Sequence, residues 1–313
     1  MNRVCNMLGI QYPIFQGAMA WVANHSIAAA VSQAGGLGII AAGNAPAEWL
    51  REEIRQCKYK TDKPFGVNIM LLSPHAEEVA KVVVEEGVKI LTTGAGSPGK
   101  YLEMWQSNGI KVIPVVPSIA IAKRMEKSGV DAVIVEGCEA GGHIGELTTM
   151  VIVPQVVDAL TIPVIAAGGI GDGRGFAASL MLGAEGIQVG TRFLLAKECD
   201  IHQNYKDRVI KANDIDTVVT GRSTGHPIRS IRNHLTREYL KLEKNGATPD
   251  ELEKLGADSL RRAVVEGDIT HGSVMAGQIA GMFNKEQTAQ EIINELVNEA
   301  KDLLNNGKDK LNF

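Results

Sequence analysis

Residues 162–175 read IPVIAAGGIGDGRG: a short apolar run breaks on Gly168 and Gly169, and Asp172 follows where a helix would start. Glycine permits the tight turn out of a strand, and aspartate is a preferred residue just ahead of a helix, so the stretch reads as strand, turn and helix. The next apolar run, EGIQVGTRF at 185–193, again ends on a glycine, Gly190, followed by Thr191. Working outward, similar runs begin near residues 12, 36, 64, 88, 111 and 130, which makes eight in the first 191 residues at a spacing of about 25. Most are separated by amphipathic stretches such as 46–57 and 75–86. Short β-branched runs alternating with helices are the pattern of parallel β-α units. Eight of them predict a closed (β/α)8 TIM barrel in an α/β protein. The rival, an open doubly wound sheet, would carry GxGxxG after its first strand. Here the first run leads into QGAMAWV, and the glycines of AGGLGII precede a strand.

Composition agrees with a folded enzyme-sized domain. The chain has 313 residues, 45% of them hydrophobic, and a net charge of −4, which argues against general nucleic-acid binding. Four cysteines without CxxC spacing read as free thiols in a reducing cytoplasm, with no metal expected. No secretory leader is visible, and no apolar run nears the roughly 18 residues of a membrane span, so no membrane association is expected.

In a TIM barrel the chemistry sits at the carboxyl ends of the strands. Gly168, Gly169 and Gly171 after the seventh run, with Gly190 and Thr191 after the eighth, form the expected phosphate cradle. Gly17, Ala18 and Met19 follow the first run, Asn68 lies in the third and Gln188 in the eighth. Small residues, a thioether and two amides suit a flat heterocycle beside that phosphate, and flavin mononucleotide (FMN) has this shape. His143 follows the sixth run in EGCEAGGHIGELTT, behind Gly141 and Gly142, where an imidazole could move a proton near neutral pH.

After the eighth run, residues 200–270 read as a polar insertion, and helical periodicity resumes at VMAGQIAGMF and TAQEIINELVNEAKDLL. The division is 1–199 for an FMN-binding barrel, 200–270 for a mostly helical segment facing substrate or partner, and 271–313 for C-terminal helices returning to the barrel and flavin. Within RSIRNHLTREYL, Arg229, Arg232, His234 and Arg237 are expected on one helix. Residues 201–240 carry seven Lys/Arg against four Asp/Glu, so this helix is either a solvated face or a landing patch for an acidic carrier protein or nucleotide phosphates.

Taken together and in order, YPIFQGAMAWVA, KPFGVNIMLLSP, TTGAG, IPVVPS, EGCEAGGHIGELTTM, PVIAAGGI, QVGTRF and GSVMAGQIAG resemble the FMN-dependent enoyl-[acyl-carrier-protein] reductase II family, within the nitronate monooxygenase-like superfamily. The resemblance implies that phosphate lies on Gly168, Gly169, Gly190 and Thr191, and that the ring meets Gly17, Ala18, Met19, Asn68 and Glu136. It implies further that Met275, Gly277 and Gln278 close over the cofactor and that His143 is catalytic. By position alone, Glu136 and Glu139 are candidates to support its charged form, Glu139 reading equally as a solvent-exposed side chain. Ala18 departs from the glycine common in the family. The implied reaction is NADH- or NADPH-dependent reduction of a trans-2-enoyl thioester on acyl carrier protein, the last step of fatty acid elongation, with stimulation by a monovalent cation. The expected assembly is a homodimer. The alternatives are nitronate monooxygenase, a flavin-free phosphosugar barrel and a non-catalytic binding protein.

Overall fold

The computed structural model describes residues 2–307; Met1 and the last six residues of the 271–313 segment lie outside the described residues. Eleven strands run in chain order: β1 Ile14–Gln16, β2 Gly38–Ala41, β3 Phe65–Met70, β4 Ile90–Gly94, β5 Lys111–Val116, β6 Val133–Glu136, β7 Gly142–His143, β8 Val164–Ala167, β9 Gly186–Val189, β10 Thr217–Thr220 and β11 Ile228–Ile231. Eight of them form one parallel sheet in the order β1-β9-β8-β6-β5-β4-β3-β2. Its two ends meet: the Leu37 amide donates to the Ile14 carbonyl at 2.8 Å and the Gln16 amide to the Leu37 carbonyl at 2.9 Å. The sheet is therefore a closed barrel, as the eight apolar runs predicted.

Closure removes both sheet edges and buries both faces, which is why the strands are mostly apolar on both faces, with polar residues such as Gln16, Asn68, Glu136 and Gln188 set toward their carboxyl ends. Phe15, Leu37, Ile39, Ile90, Ile113, Ile134 and Ile165 fill the interior. The floor is plugged by the helix Arg3–Leu8, whose Val4 and Leu8 join that cluster. A helix of six residues is marginal alone. This one is fixed by Asn2, whose Oδ1 accepts from the Cys5 amide at 3.0 Å, and ended by Gly9 at φ 69°. Side chains tie it to the barrel: Asn2 Nδ2 donates to the Glu185 carbonyl at 2.7 Å, and Arg3 pairs with the Glu185 carboxylate.

Outside the barrel, the C-terminal helix Ala289–Asn306 packs against the helices Gly173–Met181 and His25–Gln33, and so fills the last place in the helical ring. The chain between β9 and that helix contains the helix Gln203–Ile210, the hairpin β10–β11, the helices His234–Lys244 and Pro249–Gly256, and a π-helical turn Arg262–Glu266. Two expectations are corrected here. Arg229 lies in β11, not on a helix, and Arg232 lies between β11 and the helix that starts at His234. Asn233 caps that helix in a reciprocal pair with Thr236, which fixes its start. VMAGQIAGMF is not an α-helix either. Only Gln278–Met282 coils, as a 3-10 turn, because the preceding residues are drawn out across the barrel mouth. No helix among the described residues is long and apolar enough to cross a membrane, and no cluster of metal-ligating side chains occurs among them.

Candidate active site

The carboxyl ends of the parallel strands carry polar side chains on a floor of aliphatic ones. Glu136 on β6 pairs in register with Ala167 on β8, which pairs with Gln188 on β9, so Glu136 and Gln188 flank Ala167 on the interior side. Across the barrel, Asn68 on β3 donates to Thr92 Oγ1 on β4 at 2.9 Å. Burial pushes the Glu136 carboxyl up to about 7. An acid so placed exchanges its proton near neutrality.

The glycine turn after β8 takes the form expected. Gly168 and Gly169 have φ of 89° and 69°, which a side-chain-bearing residue adopts only at a cost. Asp172 then caps the next helix, Oδ1 accepting from the amides of Arg174 and Gly175 at 3.0 and 3.2 Å. On the neighbouring turn, a β carbon on Gly17 would sit 3.2 Å from Gly190 Cα, so the chain after β1 passes directly against the chain after β9. Met19 sulfur lies close by, 3.7 Å from the position of a β carbon on Gly190. Thr191 is placed differently from a free phosphate ligand: its hydroxyl oxygen accepts from the Gly277 amide at 2.9 Å.

The segment Ser273–Gly277 is tied down at four points. Met275 bridges Ser230 of β11, its carbonyl accepts from Tyr205 Oη at 2.7 Å, Gly277 binds Thr191, and the Gln278 amide donates to the Glu139 carbonyl at 3.0 Å. The approach is close enough that a β carbon on Gly141 would stand 2.6 Å from the Ala276 carbonyl carbon. Gln278 itself is exposed and takes part through its backbone.

His143 ends the two-residue strand β7, which pairs antiparallel with β11 through Ile228. Gly142 at φ 75° turns the chain into it, and Met275 sulfur lies 3.6 Å from where a β carbon on Gly142 would be. The imidazole is reached by solvent from the open mouth. The walls around it nevertheless disfavour the charged form, and His226 adds like-charge repulsion, so its pKa is held below the usual histidine value. His226 stands two residues before Ile228, the residue paired with His143, at the entry to this small sheet.

All fourteen candidate residues thus gather at one end of the barrel. Glu139, in contrast, does not support a histidine cation. Its carboxylate accepts from the Thr149 amide and hydroxyl at 3.0 Å, holding the start of the helix Thr149–Ala159. Arg229, 8% exposed, is spent inside: its guanidinium donates to the Cys138 carbonyl at 2.9 and 3.2 Å and to Thr217 Oγ1 at 3.1 Å. Sequence reading passed over Thr92, Gln16 and His226. Gln16 is wholly buried and accepts from the Ile39 amide at 3.0 Å, pinning the end of β1 to β2. The glutamine that opens QGAM, at the end of an apolar run, was its only signal.

Comparison with known proteins places this arrangement. FabK from Thermotoga maritima superposes with a TM-score of 0.96 at 48% identity over 99% of both chains. A probable nitronate monooxygenase of Staphylococcus saprophyticus is 33% identical over 97% of this chain and 99% of its own. The (3aS,4S,5R,7aS)-5-hydroxy-7a-methyl-1-oxo-octahydro-1H-indene-4-carboxyl-CoA dehydrogenase of Mycobacterium tuberculosis is 32% identical over 94% of each chain. The family model for nitronate monooxygenase matches residues 2–299, and the chain belongs to that family.

Proposed function

We propose that the protein is an FMN-dependent reductase of trans-2-enoyl thioesters on acyl carrier protein, with NADH or NADPH as donor. The observation that carries this reading is the 48% identity to FabK along the whole length, against 33% to the nitronate monooxygenase. Glycine at Gly168 and Gly17 is required by close packing on the chain itself, since a β carbon would stand 2.7 Å from the Gly137 carbonyl and 3.2 Å from Gly190 Cα; at Gly190 the nearest atom is Met19 sulfur at 3.7 Å, which leaves that backbone room to accept a phosphate. In this reading Gly168, Gly169 and Gly190 hold the phosphate together with Thr191, whose hydroxyl accepts from Gly277 and keeps its proton to donate, while Gly17, Ala18, Met19, Asn68, Glu136 and Gln188 line the ring. Met275, Gly277 and Gln278 close the site. When bound, FMN supplies hydride transfer between a nicotinamide and the β carbon of the substrate.

His143 delivers the proton that the α carbon then needs. Its pKa is lowered, so the donor is the imidazolium formed when the solvent-exposed ring takes a proton from water; negative charge developing on the thioester favours that form, and after donation the ring is neutral again. A neutral imidazole also suits a base that deprotonates a nitroalkane, which keeps nitronate monooxygenase as the second reading.

Anaerobic rapid mixing decides between them. The purified protein should be yellow, should bleach with a nicotinamide and should recover colour with crotonyl thioester. Colour recovery only with oxygen and a nitroalkane would replace the reductase by the monooxygenase, and a colourless protein that cannot take up FMN would remove both. His143→Ala should keep its flavin and its bleaching step, while recovery with the thioester slows by roughly 10²- to 10⁴-fold. An unchanged recovery rate would exclude the proton-donor role.

A further inference from the structure

Trp21 is the least expected residue at the barrel mouth. It sits in the turn after β1, two residues past Met19, with φ 64° and 54% of its surface exposed. Left-handed backbone is costly for a bulky side chain, and exposure of an indole forgoes its burial, so neither packing nor local propensity explains it. Above its ring stands Arg261, the guanidinium carbon 6.0 Å from the ring centroid. Flat groups in contact stack at about 3.5 Å, so this pair is open at the outer limit of a cation–π contact. A planar ring held between the two would need their faces roughly 7 Å apart, so the side chains must part to admit one.

The surroundings fix both sides of this opening. The Val22 and Ala23 amides both donate to the Met19 carbonyl, at 3.0 and 2.8 Å, and Asn24 Nδ2 donates to Asp200 Oδ2 at 3.2 Å. Arg261 leads into the π-helical turn Arg262–Glu266 and pairs with Glu266 at 2.6 Å. Arg262 donates to the His271 carbonyl at 3.4 Å and keeps its Nε buried without a partner. The Ser273 amide donates to the Ser259 carbonyl at 2.9 Å, so this turn is joined to the strap Ser273–Gly277 over the candidate site.

We infer that Trp21 and Arg261 form a clamp for the adenine ring of a nucleotide-bearing substrate whose reacting end lies in the barrel mouth. An exposed indole faced by a guanidinium, itself held by Glu266, offers two flat surfaces to an electron-rich base. Two substrates carry that chemistry, the reduced nicotinamide dinucleotide and a coenzyme A thioester. The inference rests on the reductase reading.

Binding is measured first on the FMN-loaded protein with ADP as the probe. ADP should quench tryptophan fluorescence saturably, and Trp21→Phe should abolish that change while Trp49 and Trp105 remain. Kinetics then identify the source. If the clamp holds the dinucleotide, Trp21→Gly and Arg261→Ala should raise KM for NADH or NADPH about tenfold with kcat unchanged. Both should then leave turnover of reduced nicotinamide mononucleotide, which lacks the adenylate, as in the wild type. If it holds coenzyme A, the same split appears between crotonyl-CoA and crotonyl-pantetheine. Glycine relieves the φ of Trp21, so Trp21→Gly guards against loss by misfolding. Equal losses on whole and truncated substrates, or an ADP response that survives Trp21→Phe, would overturn the clamp. A wild type that oxidises neither nicotinamide would sink the reductase reading, and the ADP titration would still decide the clamp.

Discussion

Glu136 and His143 set the protonation behaviour of the mouth, each through withheld solvent. An ordinary glutamate has a pKa of about 4.3, whereas in the folded apoprotein Glu136 is held near 7 by burial. Below pH 4 both folded and unfolded chains carry the proton and the group is neutral for stability. As pH rises past 4.3 the unfolded chain ionises first, so the fold is penalised progressively until pH exceeds 7. The full penalty is about 4 kcal/mol as an upper bound. Glu136→Gln should therefore leave apoprotein stability to urea little changed near pH 4 and raise it at pH 8. A difference that does not vary with pH would show that ionisation is not the cause. For His143 the sign is opposite, since burial and His226 both disfavour its cation. His226→Gln should move the His143 titration, followed by the imidazole proton resonances, toward higher pH. His143 was legible in the sequence because glycines isolate it at a strand end. The latch role of Glu139 was not, since its partner Thr149 lies ten residues on and the choice between that amide and a histidine is made by the turn after β6.

At the scale of elements, the mouth is shaped by the three-stranded sheet β10-β11-β7 and the strap that follows. Here sequence reading fell short for a physical reason. Residues 228–231 read Ile, Arg, Ser, Ile, apolar at i and i+3 as on a helix face, and what makes them a strand is a partner, Gly142–His143, some 85 residues away. The start of the true helix was readable in Asn233 and Thr236, three apart, as a reciprocal cap. The barrel strands were legible because burial on both faces demands short runs rich in apolar and β-branched residues. The strap's closeness supplies a test. Gly141→Val would drive a side chain into Ala276, where even a β carbon meets backbone at 2.6 Å. The barrel has its own core, so the variant should fold with a small loss of stability, while FMN affinity falls at least tenfold as the strap lifts. Ultrafiltration of the FMN-loaded variant would read this directly, and full retention of flavin would mean that the strap does not close the site.

The whole molecule separates its two ends. The carboxyl ends of the strands carry the histidine, the glycine turns and the strap, whereas the amino ends are sealed by the helix Arg3–Leu8 with Val4, Leu8 and Ile10 inside the barrel cluster. TIM barrels divide stability from chemistry in this way, and the division can be measured. Leu8 is 5% exposed, and truncating a buried leucine to alanine costs about 2–5 kcal/mol, set by how far the cavity collapses. The plug is short and held by few side chains, so collapse should be substantial and the lower half of that range applies. Nothing in the interior connects Leu8 to the mouth except the filled layers of Phe15, Ile39 and Ile134, which resist deformation because they are close-packed. Leu8→Ala should thus shift the urea midpoint downward, yet bind FMN with the wild-type Kd and keep the wild-type rate for both halves of turnover below the transition. Weakened flavin binding in this variant under fully folded conditions would show that the floor transmits strain to the mouth, and that the two ends are one mechanical unit.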